Sequence, residues 1–330
     1  MTIKTVLDYQ TLSPDEILNA VEQEGYRCDG RLLALNSYEN RVYRVGLEDD
    51  TSIIVKFYRP ERWGDSAILE EHEFANELAN DEIPISAPIS RNNGDTLRQH
   101  QSYRFALFPN RGGRTPNLEN PDHLEQLGRC LGRTHAVGHL KLFRFRPTLT
   151  PESFGLQSYK FLLEKNFIPI DLRAAYESLA EQLMQLVSWC YERAGALSIL
   201  RLHGDCHPGN VLWDNDGPHF LDLDDARNGP AVQDLWMFLS GSRADQEQSL
   251  EKVLNGYTQF YNINLQELHL IEALRTIRMI HYYAWIAKRW GDPAFPRAYP
   301  WFNTQRCWED HILDLREQAA LMQEPPLSLN

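Results

Sequence analysis

Hydrophobic and polar positions along the chain fall into two regimes. In the first third, short β-rich runs alternate with amphipathic helical periods. Ser13-Pro14-Asp15-Glu16 reads as a capping box with Pro at the first helical position, so a helix is expected to about Glu24. Arg31–Leu35, Arg41–Val45 and Ser52–Tyr58 are expected strands. The last alternates, with Ile53, Val55 and Phe57 on one face and Ile54, Lys56 and Tyr58 on the other. A helix from about Ser66 to Asn80 follows. Two more strands, Ile83–Ile89 and Tyr103–Phe108, are expected around an Asn92-Asn93-Gly94-Asp95 turn. Beyond the Gly- and Arg-rich stretch Pro109–Pro116, helical periods dominate, over about 121–138, 171–194, 230–241, 246–261 and 264–290. Asp171 is the expected N-cap of the second of these, and Gly195 lies just past its end. One β-rich island, Leu197 to Asp225, interrupts the helices. The pattern predicts an α+β chain of two lobes: a β-rich N-lobe over 1–108, a linker at 109–116 and a mostly helical C-lobe over 117–330.

Composition narrows the class. The 330 residues include 33 Lys+Arg against 46 Asp+Glu, a net charge of −13, with 42% apolar and 24% charged residues, which is globular rather than disordered or fibrous. The acid excess argues against binding nucleic acid or an anionic membrane through bulk charge. It leaves room for a phosphate ligand neutralised locally by a metal and one or two bases. No stretch approaches the ~18 apolar residues of a spanning helix. Met1 to Gln10 has one Lys, and Asp8 interrupts any apolar core there, so no signal peptide is expected. Five cysteines with no C-x-x-C pair suggest neither a disulfide framework nor a zinc site. A cytoplasmic protein is expected.

The β-rich island carries the chemistry. Leu200-Arg201-Leu202-His203-Gly204-Asp205-Cys206-His207-Pro208-Gly209-Asn210-Val211-Leu212-Trp213 leads through Asp214-Asn215-Asp216-Gly217 to Pro218-His219-Phe220-Leu221-Asp222-Leu223-Asp224-Asp225. If residues 214–217 turn a hairpin, Trp213 faces Pro218 and Val211 faces Phe220. Asn210 then falls beside Leu221 and Asp222. An amide and a carboxylate so placed suit Mg²⁺, which keeps waters and completes its shell with substrate phosphates. Asp205 stays free to accept a hydroxyl proton.

Lys56 is a charge in the middle of an apolar strand, and an interior Lys needs a carboxylate. At 100° per residue, Ala67, Ile68, Phe74, Ala75 and Leu78 form one stripe of the following helix. Glu71 falls inside that stripe, whereas Glu70, Glu73 and Glu77 lie to one side. The expected pair is Lys56–Glu71.

The string His203-Gly204-Asp205-x-His207-x-x-Asn210 followed by Asp222-x-Asp224 resembles the aminoglycoside phosphotransferase and choline kinase superfamily, whose base and metal amide are separated by four residues. Within it, Leu35–Tyr43, Val55–Trp63, Leu202–Asn210 and Asp222–Trp236 are similar to a bacterial stress-response family of Ser/Thr protein kinases, nearly end to end. The resemblance implies a protein-kinase-like two-lobed fold, ATP and Mg²⁺, protein acceptors with Ser/Thr hydroxyls, and autophosphorylation. It implies Asp205 as proton acceptor, Asn210 and Asp222 on the metal, with Asp222 also counted as catalytic, and Lys56 on the phosphates, supported by Glu71. Ser37 would lie in the nucleotide loop, Asp234 would brace the catalytic loop, and His203, His207 and Asp224 would support the site. A monomer is expected, with no nucleic-acid or membrane partner.

Three departures stand out. The loop at 36–40 contains no Gly, so it cannot cradle phosphates as a Gly-rich loop does. Asp222 is followed by Leu-Asp rather than Phe-Gly, and eleven residues separate it from Asp234, too few for a protein-kinase activation segment. His207 stands two after the base, where protein kinases carry Lys. Cys206, beside the base, reads as a small packed residue, and His135 as structural. Tyr282, Tyr283, Trp285, Trp290, Trp301 and Phe302 read as core; the other reading is an acceptor cleft. Arg59, Arg62, Arg111 and Arg114 either touch phosphates or sit in solvent. The competing functional expectation is a small-molecule kinase for an amino alcohol, sugar or aminoglycoside, which acidic residues along an aromatic cleft would favour.

Overall fold

The computed structural model describes residue 9 and residues 12–329. The expectation for Met1–Gln10 therefore lies, Tyr9 apart, outside the described residues. In chain order the elements are α1 (Pro14–Glu22), β1 (Cys28–Ala34), β2 (Arg41–Leu47), β3 (Ser52–Phe57), α2 (Asp65–Asn80), β4 (Arg98–His100), β5 (Tyr103–Pro109) and α3 (Pro121–Gly138). They continue with α4 (Gln157–Glu164), α5 (Ile170–Ala194), β6 (Ile199–Leu202), β7 (Val211–Asp214), β8 (Gly217–Phe220) and β9 (Arg227–Pro230). The last are α6 (Arg243–Tyr257), α7 (Ile271–Lys288), α8 (Ala294–Ala298) and α9 (Gln305–Leu321). The chain divides into two compact units. One runs to Thr115 and includes Val211–Asp224; the other comprises Pro116–Asn210 and Asp225 onward.

In the first unit, among the described residues, five antiparallel strands form a sheet in the order β1-β2-β3-β5-β4. Ser13 caps α1 by accepting from Glu16 N at 3.3 Å, with Pro14 opening the helix. One face of β3 (Ile53, Val55 and Phe57) packs with Ile17, Val21, Tyr103, Phe105 and Leu107 in a buried core. Its other face is also covered, since Tyr58 packs with Ile68 of α2 and Ala106 of β5. That double burial encloses the Lys56 side chain. The hairpin β7–β8 belongs to this unit and has the expected register, Val211↔Phe220 and Trp213↔Pro218. Ile83–Ile89 is not a strand of the sheet. Pro84 and Pro88 remove two ladder donors, and the segment instead lies along the hairpin, with Ser86 N donating to Phe220 O at 2.9 Å and Phe220 N to Pro84 O at 2.7 Å.

The second unit is mostly helical, with the two-stranded pair β6–β9 inside it. Helices α3 and α6 approach at backbone contact: a methyl on Gly128 would stand 2.0 Å from Val253 O, and one on Gly132 2.4 Å from Tyr257 O. Two expected helices are corrected. Residues 231–238 form two short 3₁₀ turns rather than one α-helix, and 265–270 are 3₁₀ before α7 begins. In the first case the side chains of Asp234 and Gln233 bond the backbone of His203 and Gly204, tying this segment to that loop. The N-cap of α5 is Pro169, not Asp171, and α4 and α9 carry no expectation above. Among the described residues, no helix is long and apolar enough to cross a membrane.

Candidate active site

In the first unit, Lys56 sits on β3 between Val42 of β2 and Ala106 of β5. Its side chain is 8% exposed, and its ammonium meets three carboxylates: Asp222 at 2.9 Å, Asp224 at 3.2 Å and Glu71 at 3.4 Å. Burial opposes the charge on Lys56, yet Asp222, Asp224 and Glu71 together outweigh it and push the pKa well above the ordinary lysine value. Glu71 is buried in the apolar stripe of α2 that the helical period picks out. Asp222 takes a left-handed backbone conformation, φ +58°, which is uncommon for a residue with a Cβ. Its side chain remains 47% exposed, so a carboxylate edge is open to a ligand.

The loop without glycine is held by arginines. Arg59 donates from its backbone N to Asn40 Oδ1 at 3.0 Å, and from its guanidinium to Glu39 O at 2.8 Å and Tyr38 O at 3.1 Å. Arg62 pairs with Glu39 at 3.5 Å and with Asp224. Both guanidinia are thus engaged with the chain itself. Ser37 lies half-buried in this loop, between β1 and β2.

In the second unit, residues 203–210 form a loop organised around Asp234, whose side chain is fully buried. Asp234 accepts from His203 N at 2.7 Å, Gly204 N at 2.9 Å and His135 Nε2 at 3.1 Å. Burial by itself would raise this carboxyl's pKa; the hydrogen bond and charge of His135, with His203 and Gly204 N, hold it below the usual range. Gln233 donates to Gly204 O at 3.2 Å. Gly204 has φ +84°, and a methyl there would stand 2.2 Å from Asp225 O, so only glycine fits the turn.

Asp205 follows that turn with its side chain 22% exposed. Its Oδ1 is 2.6 Å from Arg278 Nη1 of α7, and its Oδ2 is 3.6 Å from His207 Nε2. Asn210 Nδ2 donates to Asp205 O at 3.0 Å, which leaves the amide oxygen for another partner. Cys206 is buried, and burial, with Asp234 and Asp205 nearby, pushes its thiol well above the ordinary value, the opposite of a reactive thiolate. His135 is buried and also bonds Tyr257 at 2.7 Å, the structural role expected.

The residues singled out therefore form two groups, Lys56, Glu71, Asp222 and Asp224 in one unit, and His203, Asp205, His207, Asn210 and Asp234 in the other; Ser37 joins neither through any contact described. Arg278 carries no motif, and only its position on α7 brings it to Asp205. Among the described residues, no group of three or more His, Cys, Asp or Glu is arranged to hold a metal unaided. Mg²⁺ shared with phosphates needs only one or two carboxylates; in the first unit the half-exposed Asp222 carboxylate suits that chemistry, and in the second the Asn210 amide oxygen is an oxygen donor of the kind it takes.

A buried, carboxylate-paired lysine in one unit and, in the other, an Asp loop held by a buried carboxylate are each features of phosphotransferases. The profile of the phosphotransferase enzyme family (APH) matches residues 31–271, and the chain belongs to that family. It is a kinase. Stress response kinase A of Escherichia coli (strain K12) is 47% identical over 321 residues, 97% of each chain. Serine/threonine protein kinase RdoA of Salmonella typhimurium is 44% identical over the same share of each. Among solved structures, amicoumacin kinase hAmiN, in complex with AMP-PNP, Ca²⁺ and Ami, superposes with a TM-score of 0.72 at 17% identity, covering 94% of this chain and 95% of that one. A microcompartment-associated aminopropanol kinase gives 0.71 at 16% identity, covering 94% and 97%. These two likenesses show the shared fold.

Proposed function

We propose that this kinase transfers the γ-phosphoryl group of ATP to Ser/Thr hydroxyls of proteins, itself included, in a bacterial stress response. The observation that favours a protein acceptor over a cationic small molecule is the charge around the aromatic residues of the second unit. From residue 273 to 291 the chain carries Arg275, Arg278, Lys288 and Arg289 and no acidic residue. Arg289 lies 5.0 Å over Trp285, Lys288 5.3 Å over Phe161 and Arg227 4.4 Å over Phe154. An aromatic cage for an amino alcohol needs those faces for the ligand's cation and carboxylates beside them. Here one such face, that of Trp285, is already taken by the protein's own Arg289. The names of the relatives support the same choice.

The two groups support the following division of labour. Lys56, kept charged by Asp222, Asp224 and Glu71, would bind α/β-phosphate oxygens. Asn210 and Asp222 would hold Mg²⁺, which when bound neutralises phosphate charge. Ser37 would contact the nucleotide through its hydroxyl or backbone N–H. Asp205 would accept the proton of the acceptor hydroxyl while that oxygen forms the new P–O bond and the bond from γ-phosphorus to the bridging oxygen breaks, releasing ADP. Asp234 positions the loop. His207 would steady Asp205 from 3.6 Å, and Asp224, 3.2 Å from Lys56 Nζ, would help hold that ammonium in place. The acid excess of the chain supports the absence of nucleic-acid and membrane partners, and nothing in this chemistry calls for a second copy.

The test is purified protein with γ-labelled ATP and Mg²⁺, alone, with generic protein substrates, and with a panel of alcohols and amines, beside Asp205→Asn. Label on protein that disappears in the variant supports the proposal. Label confined to a small molecule overturns it in favour of the small-molecule kinase.

A further inference from the structure

Building on the acceptor reading above, we infer that Arg278 selects the acceptor by binding an anionic group beside the accepting hydroxyl, so that the favoured substrates are Ser/Thr residues in acidic segments. The relation that carries this is internal to the second unit. Arg278 Nη1 is 2.6 Å from Asp205 Oδ1, and its side chain is 35% exposed. Among the described residues no other carboxylate stands within 4.0 Å of its guanidinium nitrogens. A guanidinium offers five N–H donors in a planar fork, and Asp205 takes one edge of it at most. The 35% exposed side chain therefore keeps donors for a ligand beside the residue that must meet the hydroxyl.

The consequence for an incoming acceptor is directional. By holding Oδ1, Arg278 leaves Oδ2 as the oxygen that takes the proton. An ammonium bound within reach of Asp205 also lies within a few ångströms of Arg278, and like charges at that range disfavour each other. A carboxylate at the same place gains a charge-assisted hydrogen bond. The surroundings add to the bias: His281, three residues on along α7, is depressed to about 3 first by burial and then by Arg227, with Lys288 and Arg278 contributing. Asp225 offsets part of this charge, but it is itself paired with Arg227 at 2.6 Å. Acceptor charge is therefore read at the base itself.

The test uses the full chain and one Ser peptide sequence flanked by Asp, by Ala or by Lys, together with small hydroxy acids and amino alcohols. Wild type, Arg278→Gln, Arg278→Lys and Arg278→Glu are compared, with thermal melting to confirm folding. Wild type is expected to favour the Asp-flanked over the Lys-flanked peptide by about tenfold or more in kcat/KM, mostly through KM. Arg278→Gln should bring that ratio close to one, Arg278→Lys should restore part of it, and Arg278→Glu should invert it. A wild-type enzyme indifferent to flanking charge, or preferring Lys, overturns the inference without needing any variant. So does an Arg278→Gln enzyme that keeps the acidic preference. If only small molecules accept phosphate, the protein-acceptor reading fails separately, and the ratio of hydroxy acid to amino alcohol then decides the role of Arg278.

Discussion

Lys56 Nζ lies 2.9 Å from Asp222 Oδ1, a buried strand cation joined to a carboxylate 166 residues further along the chain. Glu71 and Asp224 complete its surroundings, so three acidic side chains depend on one ammonium for compensation. Lys56→Met should weaken binding of a nucleotide analogue at least tenfold and lower turnover by roughly 10²-fold. Calorimetric titration beside steady-state kinetics checks both; unchanged nucleotide affinity would contradict the assignment of Lys56 to the phosphates.

Asp234 accepts from two adjacent backbone N–H groups and also bonds His135. Asp234→Ala removes the acceptor of all three bonds in a buried place, a loss expected to be about 3–5 kcal/mol. Urea unfolding measures it. Asp234→Asn keeps one acceptor oxygen and should cost less, while still reducing turnover because the Asp205 loop loses its brace.

Two glycines of the same loop should respond differently. At Gly204 the positive φ and the approach to Asp225 O leave no space for a methyl, and the obstacle is backbone. Gly204→Ala should therefore destabilise by about 3 kcal/mol or more and abolish turnover. At Gly209 the nearest obstacle is the His207 ring at 2.7 Å, which can rotate away. Gly209→Ala should fold normally, and a severe loss of stability there would show that the loop is more rigid than this contrast allows.

Acid should destabilise the second unit ahead of general acid denaturation. Burial depresses both His281 and His311 to about 3, and the His311 ring nitrogens have no hydrogen-bond partner among the described residues. Below its ordinary pKa of 6.5 each histidine binds a proton in the unfolded chain but not in the native one. Stability contributed by the neutral rings is thus present above about 6.5 and lost progressively toward 3, on the order of 5 kcal/mol each. His311→Phe should flatten the fall of unfolding free energy between pH 6.5 and 4, measured by urea titration at each pH.

Local chemistry was readable in the sequence wherever it rests on periodicity or short spacing. The α2 stripe centred on Glu71, the hairpin register through Asp214–Gly217 and the Asp205-to-Asn210 spacing are repeats of a few residues, and helical and strand geometry turn them directly into neighbours. The brace by Asp234 was legible only through family resemblance, because a side chain accepting from backbone 30 and 31 residues away leaves no periodic trace. Ile83–Ile89 misled because apolar alternation looks the same in a sheet strand and in a Pro-interrupted segment lying along a hairpin. The Lys56–Asp222 contact and the reach of Arg278 to Asp205 belong to tertiary structure alone. Each joins residues from distant parts of the chain by the packing of whole elements, and a single Arg among several on α7 has nothing in its sequence neighbourhood to mark which carboxylate it will meet.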